Sequence, residues 1–442
     1  MTQARTLQSV ARDALTGGQM LFVAFGALVL VPLITGLDPN VAFFTAGIGT
    51  LIFQFCTKRQ VPVFLASSFA FIAPISAGIG NWGVADTLGG LIAAGGLYLV
   101  LSALVKWRGV GMLHRYLPPV VVGPVIMVIG LNLAPVAVSQ AMGVLSGEQV
   151  VDPSTALFIS ISTLTTTLLV AILGRGIFRL IPILAGITVG YSLSLYFGLV
   201  DFSKFANVPW FAMPNFTAPS FNWEAILFIL PVAIAPAIEH IGDILAISSV
   251  TGKDYLKKPG LHRTMLGDGL ATMAAAAFGG PPNTTYSEVT GAVMLTKAFN
   301  PVIMTWAAVI AILVSFTAPL GVFLQTIPTV VMGGIMTLLF GSIAVVGMNT
   351  LVRHKVDLND ARNLCIVSVI LIFGIGGMAI NISVGGPAAE MLELCKQTPL
   401  ASNMVEACAN LEKPRNFALQ GIALCSIVGI LLNLLLPKSK PE

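Results

Sequence analysis

Residues 279 to 291 read Gly279-Gly280-Pro281-Pro282-Asn283-Thr284-Thr285-Tyr286-Ser287-Glu288-Val289-Thr290-Gly291. The stretch sits in an apolar part of the chain, yet it holds three glycines, two prolines, three threonines and a carboxylate. An unbroken membrane helix does not carry these together, because proline removes a backbone donor and clashes with the preceding turn. Non-helical backbone at membrane depth is tolerated only where protein or a water-filled cavity satisfies its N–H and C=O groups. The reading is therefore a short extended segment from Pro281 to Tyr286, followed by a half-helix that begins near Ser287. Its N-terminal amides and Glu288 then face a cavity.

The surrounding chain sets the context. Its 442 residues are 56% hydrophobic and 10% charged, with a mean hydropathy of +0.91, too apolar for a soluble domain. Apolar runs recur along the whole length, so the fold class expected is an all-α polytopic membrane protein. Fourteen transmembrane segments are expected, near residues 17–36, 41–57, 61–79, 87–106, 116–138, 155–174, 180–200, 223–248, 264–279, 281–296, 299–320, 323–348, 363–380 and 417–437. The third and tenth are too short to cross a core of about 30 Å as simple helices. Residues 1–16 are polar, and the run from Gln19 to Thr35 lacks a small-residue cleavage site, so it reads as a retained first span. No soluble domain is expected at either end.

With the N-terminus in the cytoplasm, every Lys and Arg except Lys204, Lys396, Lys413 and Arg415 falls on the cytoplasmic side. That asymmetry follows the positive-inside rule and places both termini in the cytoplasm, with the chain in the cell inner membrane. The net charge of +4 is topological, so no nucleic acid is expected as a partner. Cys56, Cys365 and Cys425 lie in or beside spans and read as packing residues. Cys395 and Cys408 share the outward loop 381–416, where an oxidising compartment permits a disulfide, but spacing alone leaves that pairing open.

The chain echoes itself. Leu117-Pro118-Pro119-Val120-Val121-Val122-Gly123 lies over Ile327-Pro328-Thr329-Val330-Val331-Met332-Gly333, with proline, two valines and glycine coinciding. Gly47-Ile48-Gly49 pairs with Gly267-Asp268-Gly269, and each leads to a proline-started short segment, Pro62 to Phe71 and Pro281 to Thr290. Two echoes in the same order imply a duplication of seven spans each, and an odd number inverts the second copy. Inverted repeats with interrupted segments at matching places are the signature of a secondary transporter with its site near the bilayer midplane.

Four carboxylates fall inside spans: Glu239 and Asp243 in the eighth, Asp268 near the start of the ninth and Glu288 in the tenth. No span carries a mid-membrane Lys or Arg to neutralise them, and an intramembrane carboxylate is by default functional. Glu239 and Asp243 share one helix face. Two carboxylates one turn apart in a low dielectric are not both ionised unless a cation is held, and a proton is the simplest. The reading is proton-coupled transport, with Glu239 as direct substrate ligand and Asp243 as coupling group. Asp268 is balanced between coupling and an ordinary helix-end charge. His240 points about 100° away from Glu239 and reads as a packing or backbone-bonded residue. Carboxylates, the hydroxyls of Ser68 and Ser287, the aromatic faces of Phe69 and Tyr286, and no cation together suit a flat, neutral, hydrogen-bonding molecule.

At these residues the chain resembles the nucleobase–ascorbate transporter family, and within it the bacterial uracil permeases. The motifs are Ser67-Ser68-Phe69-Ala70-Phe71, Glu239-His240-Ile241-Gly242, Pro282-Asn283-Thr284-Thr285-Tyr286-Ser287-Glu288, Gly291 and Thr296-Lys297. The resemblance implies two inverted seven-span repeats with short antiparallel strands in spans 3 and 10. It implies a core domain (1–115 and 223–322), a gate domain (116–222 and 323–442) and a homodimer held largely through the gate domains. It implies a nucleobase:proton symporter working by alternating access, neither an enzyme nor a user of cofactor or metal. Glu239 and Glu288 would bind the base through side chains, Phe69 and Ser287 through backbone amides, with Tyr286, Ser68 and Ala27 alongside. The coupling proton would rest with Asp243, Glu239 and Asp268.

Three positions depart from the family pattern. Val289 stands where asparagine is usual, Asp243 where uracil permeases tend to have histidine, and Gln19 where many members have histidine. Glu288 argues for uracil, whereas Asp243 and Asp268 argue for the alternative, a xanthine or other purine symporter on the same scaffold. A sulfate or bicarbonate carrier would want a basic residue at the half-helix ends, and an intramembrane aspartyl protease a Gly-x-Gly-Asp motif. Neither feature is present.

Overall fold

The computed structural model describes residues 7–109, 111, 116–145, 147–176, 178, 181–205, 208–383 and 416–437, and for residues 7, 204, 287, 288, 381–383 and 416–420 the backbone alone. Helix α1 (Leu7–Thr35) is followed by α2 (Pro39–Cys56). Asp38 caps α2 by accepting the Asn40 N–H at 2.7 Å, with Pro39 in the first turn where no donor is needed. Strand β1 (Leu65–Ser67), a 3-10 turn (Phe69–Phe71) and α3 (Ile72–Arg108) come next. α3 is two helices joined at Gly83, whose φ of +84° is open to glycine at little cost.

Helix α4 (Pro119–Ala141) ends in a small hairpin of β2 (Val144–Leu145) and β3 (Glu148–Gln149), and α5 (Pro153–Leu173) and α6 (Pro182–Tyr196) complete the first half. The second half contains α7 (Trp223–Ile229), a 3-10 turn over Leu230–Ala233, α8 (Ile234–Thr251) and α9 (Leu261–Ala277). Strand β4 (Asn283–Thr285), α10 (Ser287–Thr296), α11 (Pro301–Ser315), α12 (Ala318–Gln325) and α13 (Thr329–Arg353) follow. Last come α14 (Ala361–Ile375), β5 (Ala379–Ser383), β6 (Asn416–Gln420), antiparallel to β5, and α15 (Gly421–Leu435).

Among the described residues, seven helical stretches are long and apolar enough to cross a bilayer: 8–35, 39–56, 69–108, 119–141, 153–173, 223–251 and 329–353. Shorter apolar helices cover 182–196, 301–315, 361–375 and 421–435. The protein is a multi-pass membrane protein. Its helices differ from the expected spans in several places, among them the following three. α1 starts well before residue 17, and at Gly17 it lies against the backbone of Ile303–Ala307 in α11. The expected span 323–348 divides at Pro328, which interrupts helical hydrogen bonding and becomes the N-cap of α13. The start of the expected last span is strand β6, so its helix begins only at Gly421. Cys395 and Cys408, with Lys396, Lys413 and Arg415, lie outside the described residues.

Packing follows the echoing segments. α2 runs antiparallel to α9, with Gly267 against Phe53 and Gly49 against Ala271 and Asn283. α4 runs antiparallel to α13 at backbone contact, so that a β-carbon on Gly130 would run into the Phe340 carbonyl oxygen. α3 meets α9 in the same way, where Gly95 and Gly269 each face the other's carbonyl. Apolar side chains of these helices form the buried interior. The outer face of α5 exposes Leu157, Phe158, Ile161, Leu169, Ile172 and Leu173.

Candidate functional site

The two broken segments meet. β1 and β4 pair antiparallel in the register Leu65–Thr285, Ala66–Thr284 and Ser67–Asn283. The Ser68 N–H extends the ladder to the Pro282 carbonyl at 2.9 Å. Each strand leads directly into helical backbone, at Phe69 and at Ser287. Neither of these two starts has a side-chain cap on its leading amides, so both offer N–H groups to an acceptor.

Strand β4 is anchored on both flanks. The Asn283 amide donates to the Thr45 carbonyl of α2 at 2.7 Å, and Thr272 of α9 donates to the Asn283 carbonyl at 2.7 Å. On the other strand, the Leu65 N–H donates to Thr50 Oγ1 at 2.9 Å. The rings of Phe69 and Tyr286 meet at a tilt of 47°, with centroids 6.2 Å apart. Ala27 and Ser68 are buried in the same region, and Ser68 Oγ has no hydrogen-bond partner among the described residues. The backbone of Ser287 and Glu288 opens α10, but their side chains lie outside the described residues.

Successive strand residues face opposite ways, and here that sends two hydroxyls to two carboxylates. Thr285 donates to Asp243 Oδ2 of α8 at 2.8 Å, and Thr284 donates to Asp268 Oδ2 of α9 at 3.3 Å. His240 sits between them, fully buried. Its Nδ1 lies 3.3 Å from Asp268 Oδ2 and 3.3 Å from Thr285 Oγ1, and its Nε2 lies 3.0 Å from Thr264 Oγ1. The packing role read for His240 from helical phase is therefore incorrect, because the ring is the centre of a polar network. Asp268 is likewise no hydrated helix-end charge: it is 0% exposed, and Asp243 is 5% exposed. A buried carboxylate needs a charged or hydrogen-bonded partner, and Thr285 serves Asp243 as Thr284 and His240 serve Asp268.

A cavity of about 210 Å³ reaches this network from one side. Glu239 and Asp243 of α8 form one wall, and Val122 of α4 with Asn349, Thr350 and Arg353 of α13 form the other. Phe69, Ser68, Tyr286 and Ala27 are not in its lining, so the cavity joins the two acids of α8 but stops short of the ring pair. A second opening of about 520 Å³, lined among others by Asp38, Asn215, Gly279 and Gln325, lies at the far ends of α2 and α9.

Sequence reasoning missed His240, Thr284, Thr285 and Thr264 as network members. The available signal was the alternation of the two threonines in a segment already read as extended. What faced each of them depended on the packing of α8 and α9.

Comparison with known proteins accords with this arrangement. A family model described as "Permease family" (Xan_ur_permease) matches residues 12–383. A Pasteurella multocida protein named "Probable uracil permease" is 59% identical over 98% of this chain and 95% of its own length. The "Uracil permease" of Bacillus caldolyticus is 43% identical over 95% of this chain and 90% of its own length. The transmembrane domain of the cyanobacterial bicarbonate transporter BicA matches with a TM-score of 0.62 at 15% identity, covering 84% of this chain and 96% of that one, a likeness of fold alone. With a matching family model along most of its length and relatives of this identity on either side, the chain belongs to the permease family and is a transporter, not an enzyme.

Proposed function

We propose that the chain is a proton-coupled symporter that imports a nucleobase, with uracil as substrate, across the bacterial inner membrane by alternating access. The observation that carries this reading is the β1–β4 pair, which brings two uncapped helix starts and the Phe69–Tyr286 rings beside the acids of α8 and α9. Uracil is planar, uncharged at neutral pH, and presents ring N–H donors and carbonyl acceptors. Glu239 and Glu288 accept from its N–H groups, and the amides at Phe69 and Ser287 donate to its carbonyls. Tyr286, Ser68 and Ala27 shape the pocket around it. The acids Glu239, Asp243 and Asp268 hold the coupling proton, since carboxylates gathered at membrane depth cannot all stay ionised without counter-charge.

The same reading supplies the architecture. Fourteen spans form two inverted seven-span repeats, supported by the antiparallel packing of each echoing segment on its counterpart: β1 on β4, α2 on α9 and α4 on α13. Residues 1–115 and 223–322 form a core domain, and 116–222 and 323–442 a gate domain. The cavity between α8 and the α4–α13 pair lies on their boundary. Rigid-body movement along that boundary exposes the site alternately to each side. The apolar outer face of α5 suits lipid and a second copy, giving a homodimer through the gate domains. Both termini lie in the cytoplasm.

Buried Asp243 and Asp268 favour a second reading, a xanthine or purine symporter. Thermal-shift screening of the purified protein against nucleobases at two pH values, followed by radiolabelled uptake into proteoliposomes under an imposed pH gradient, separates the two. The expected result is stabilisation by uracil and gradient-dependent uracil accumulation. Accumulation of xanthine with no competition by uracil would replace the substrate, and uptake indifferent to the gradient would remove the coupling.

A further inference from the structure

We propose that residues 210–223 form a two-ended lipid anchor, with large apolar side chains at each end seated in the headgroup–acyl boundary of one leaflet and the chain between them fastened across the helices beneath. This segment belongs to the strap that joins α6 to α7, and the strap is tied down at helix ends. Ala212 donates its N–H to the Phe316 carbonyl at 3.0 Å, and Phe211 forms an antiparallel bridge with Thr317, between α11 and α12. The Asn215 N–H reaches Asp38 Oδ2, just before α2, at 3.2 Å. The Phe216 ring turns inward against Phe44 of α2 and Phe278 at the end of α9, with centroids 5.0 and 5.6 Å away. Ser220 donates its N–H to the Ala85 carbonyl at 2.9 Å and its hydroxyl to Asp86, just past the bend of α3 at Gly83. The Asn222 amide reaches the same carboxylate at 3.2 Å. All these partners fall within residues 1–115 or 223–322, so the strap rides with that body, at the level where its helices end.

The free side of the strap changes character along its length. Trp210, Phe211 and Met213 at one end, and Phe221 and Trp223 at the other, are each more than two-thirds exposed. Between them the exposed positions are Asn215, Ala218 and Ser220, which are small or polar. No Asp, Glu, Lys or Arg occurs from Phe205 to Trp223, although a loop held in water throughout is ordinarily charged. Large apolar groups gathered on a surface mark a contact with membrane or protein. Here both ends prolong exposed apolar faces of helices in the bilayer. Leu313 of α11, one turn before Phe316, is exposed near the first end, and Leu227 of α7, one turn after Trp223 on the same face, is exposed near the second. Tryptophan suits this depth, because its ring body is apolar while its indole N–H keeps a polar partner. Lipid is the occupant that satisfies two apolar ends at the rim of the molecule and leaves the polar middle in water.

The anchor requires the multi-pass fold but neither the substrate nor the coupling ion, so it is tested without transport. The chain has five tryptophans. The full chain is reconstituted in nanodiscs of phosphatidylcholine brominated either near the headgroup or near the chain ends, as W82F/W107F/W223F/W306F to leave Trp210 and as W82F/W107F/W210F/W306F to leave Trp223. Should either variant fail to fold, the difference in fluorescence between the parent and W210F or W223F supplies the same signal. The expected result is that bromines near the headgroup quench both tryptophans more strongly than bromines near the chain ends, and that aqueous iodide quenches both less than it quenches free tryptophan. Full quenching by iodide with no effect of bromine would show a face open to water, available to a soluble partner, and would overturn the anchor. Protection from both quenchers would show a face covered by protein, such as a second copy, and would overturn it equally. Stronger quenching by the deep bromines, or lipid contact at one tryptophan and not the other, would also refute a two-ended seat at the boundary.

Discussion

Replacing Thr285 with valine keeps the branched shape of the side chain and deletes the hydroxyl that joins Asp243 to His240. The position is 2% exposed, so bulk water does not reach in to replace the lost donor. A hydrogen bond to a charged group contributes about 1.5–3 kcal/mol net, whereas side-chain hydrogen bonds between membrane helices average about 0.6 and reach about 1.7 kcal/mol. The 2.8 Å bond ends on a buried carboxylate, which places this one at the upper end of the membrane range, and the loss expected is about 1.5–2 kcal/mol.

Reversible unfolding in mixed lipid–detergent micelles reads that loss, with Thr285→Ser as the control that returns the hydroxyl. A cycle with Asp243→Asn then measures the coupling between the two residues, expected at about 1 kcal/mol or more for partners in one hydrogen-bond network. Unfolding of the valine variant within about 0.5 kcal/mol of the parent, or a serine variant as weak as the valine one, would refute the placement of Thr285 in the network.

Glu288→Ala is expected to abolish nucleobase binding, and unchanged thermal stabilisation by uracil would remove that residue from the site. Asp243→Asn should dissipate gradient-driven accumulation more than it weakens binding, so proteoliposomes that still concentrate uracil to the parent level would count against its coupling role. Gly130→Val puts a side chain against the α13 backbone and should cost about 1–3 kcal/mol or more, while Gly341→Val, which meets nothing within 4 Å, should be neutral. Size-exclusion profiles and melting curves of the two proteins compare them, and equal behaviour would contradict the close α4–α13 contact.

Much of the fold was legible because membrane physics punishes exceptions. Pro281 and Pro282 could not continue a helix, and β4 with the start of α10 at Ser287 lies where that argument put them. The proline–valine–glycine echo likewise marked the two helices, α4 and α13, that lie backbone to backbone. Boundaries were less visible, since hydropathy reports where lipid is and not where hydrogen bonding stops. Gln325 and Thr329 are both in helix, but Pro328 separates them.

The candidate site divided in the same way. Glu239 and Asp243 stood out as carboxylates in an apolar run, and both line the cavity. His240 did not, because its helical phase says which direction it points but not that Asp268 and Thr285, far along the chain, wait there. Asp268 was left in balance for a related reason. Its place near the start of α9 suggested water, and only the contact of that helix with α3 and α2 closes water off.

The tethering of β4 to Thr45 and Thr272, and of β1 to Thr50, has a mechanical consequence. Short extended segments in other proteins often bend to admit a guest, but these are riveted to the helices on either side and cannot yield one at a time. The paired strands thus form one unit with α2 and α9, and under the alternating access proposed above the place to look for movement is the cavity between α8 and the α4–α13 pair.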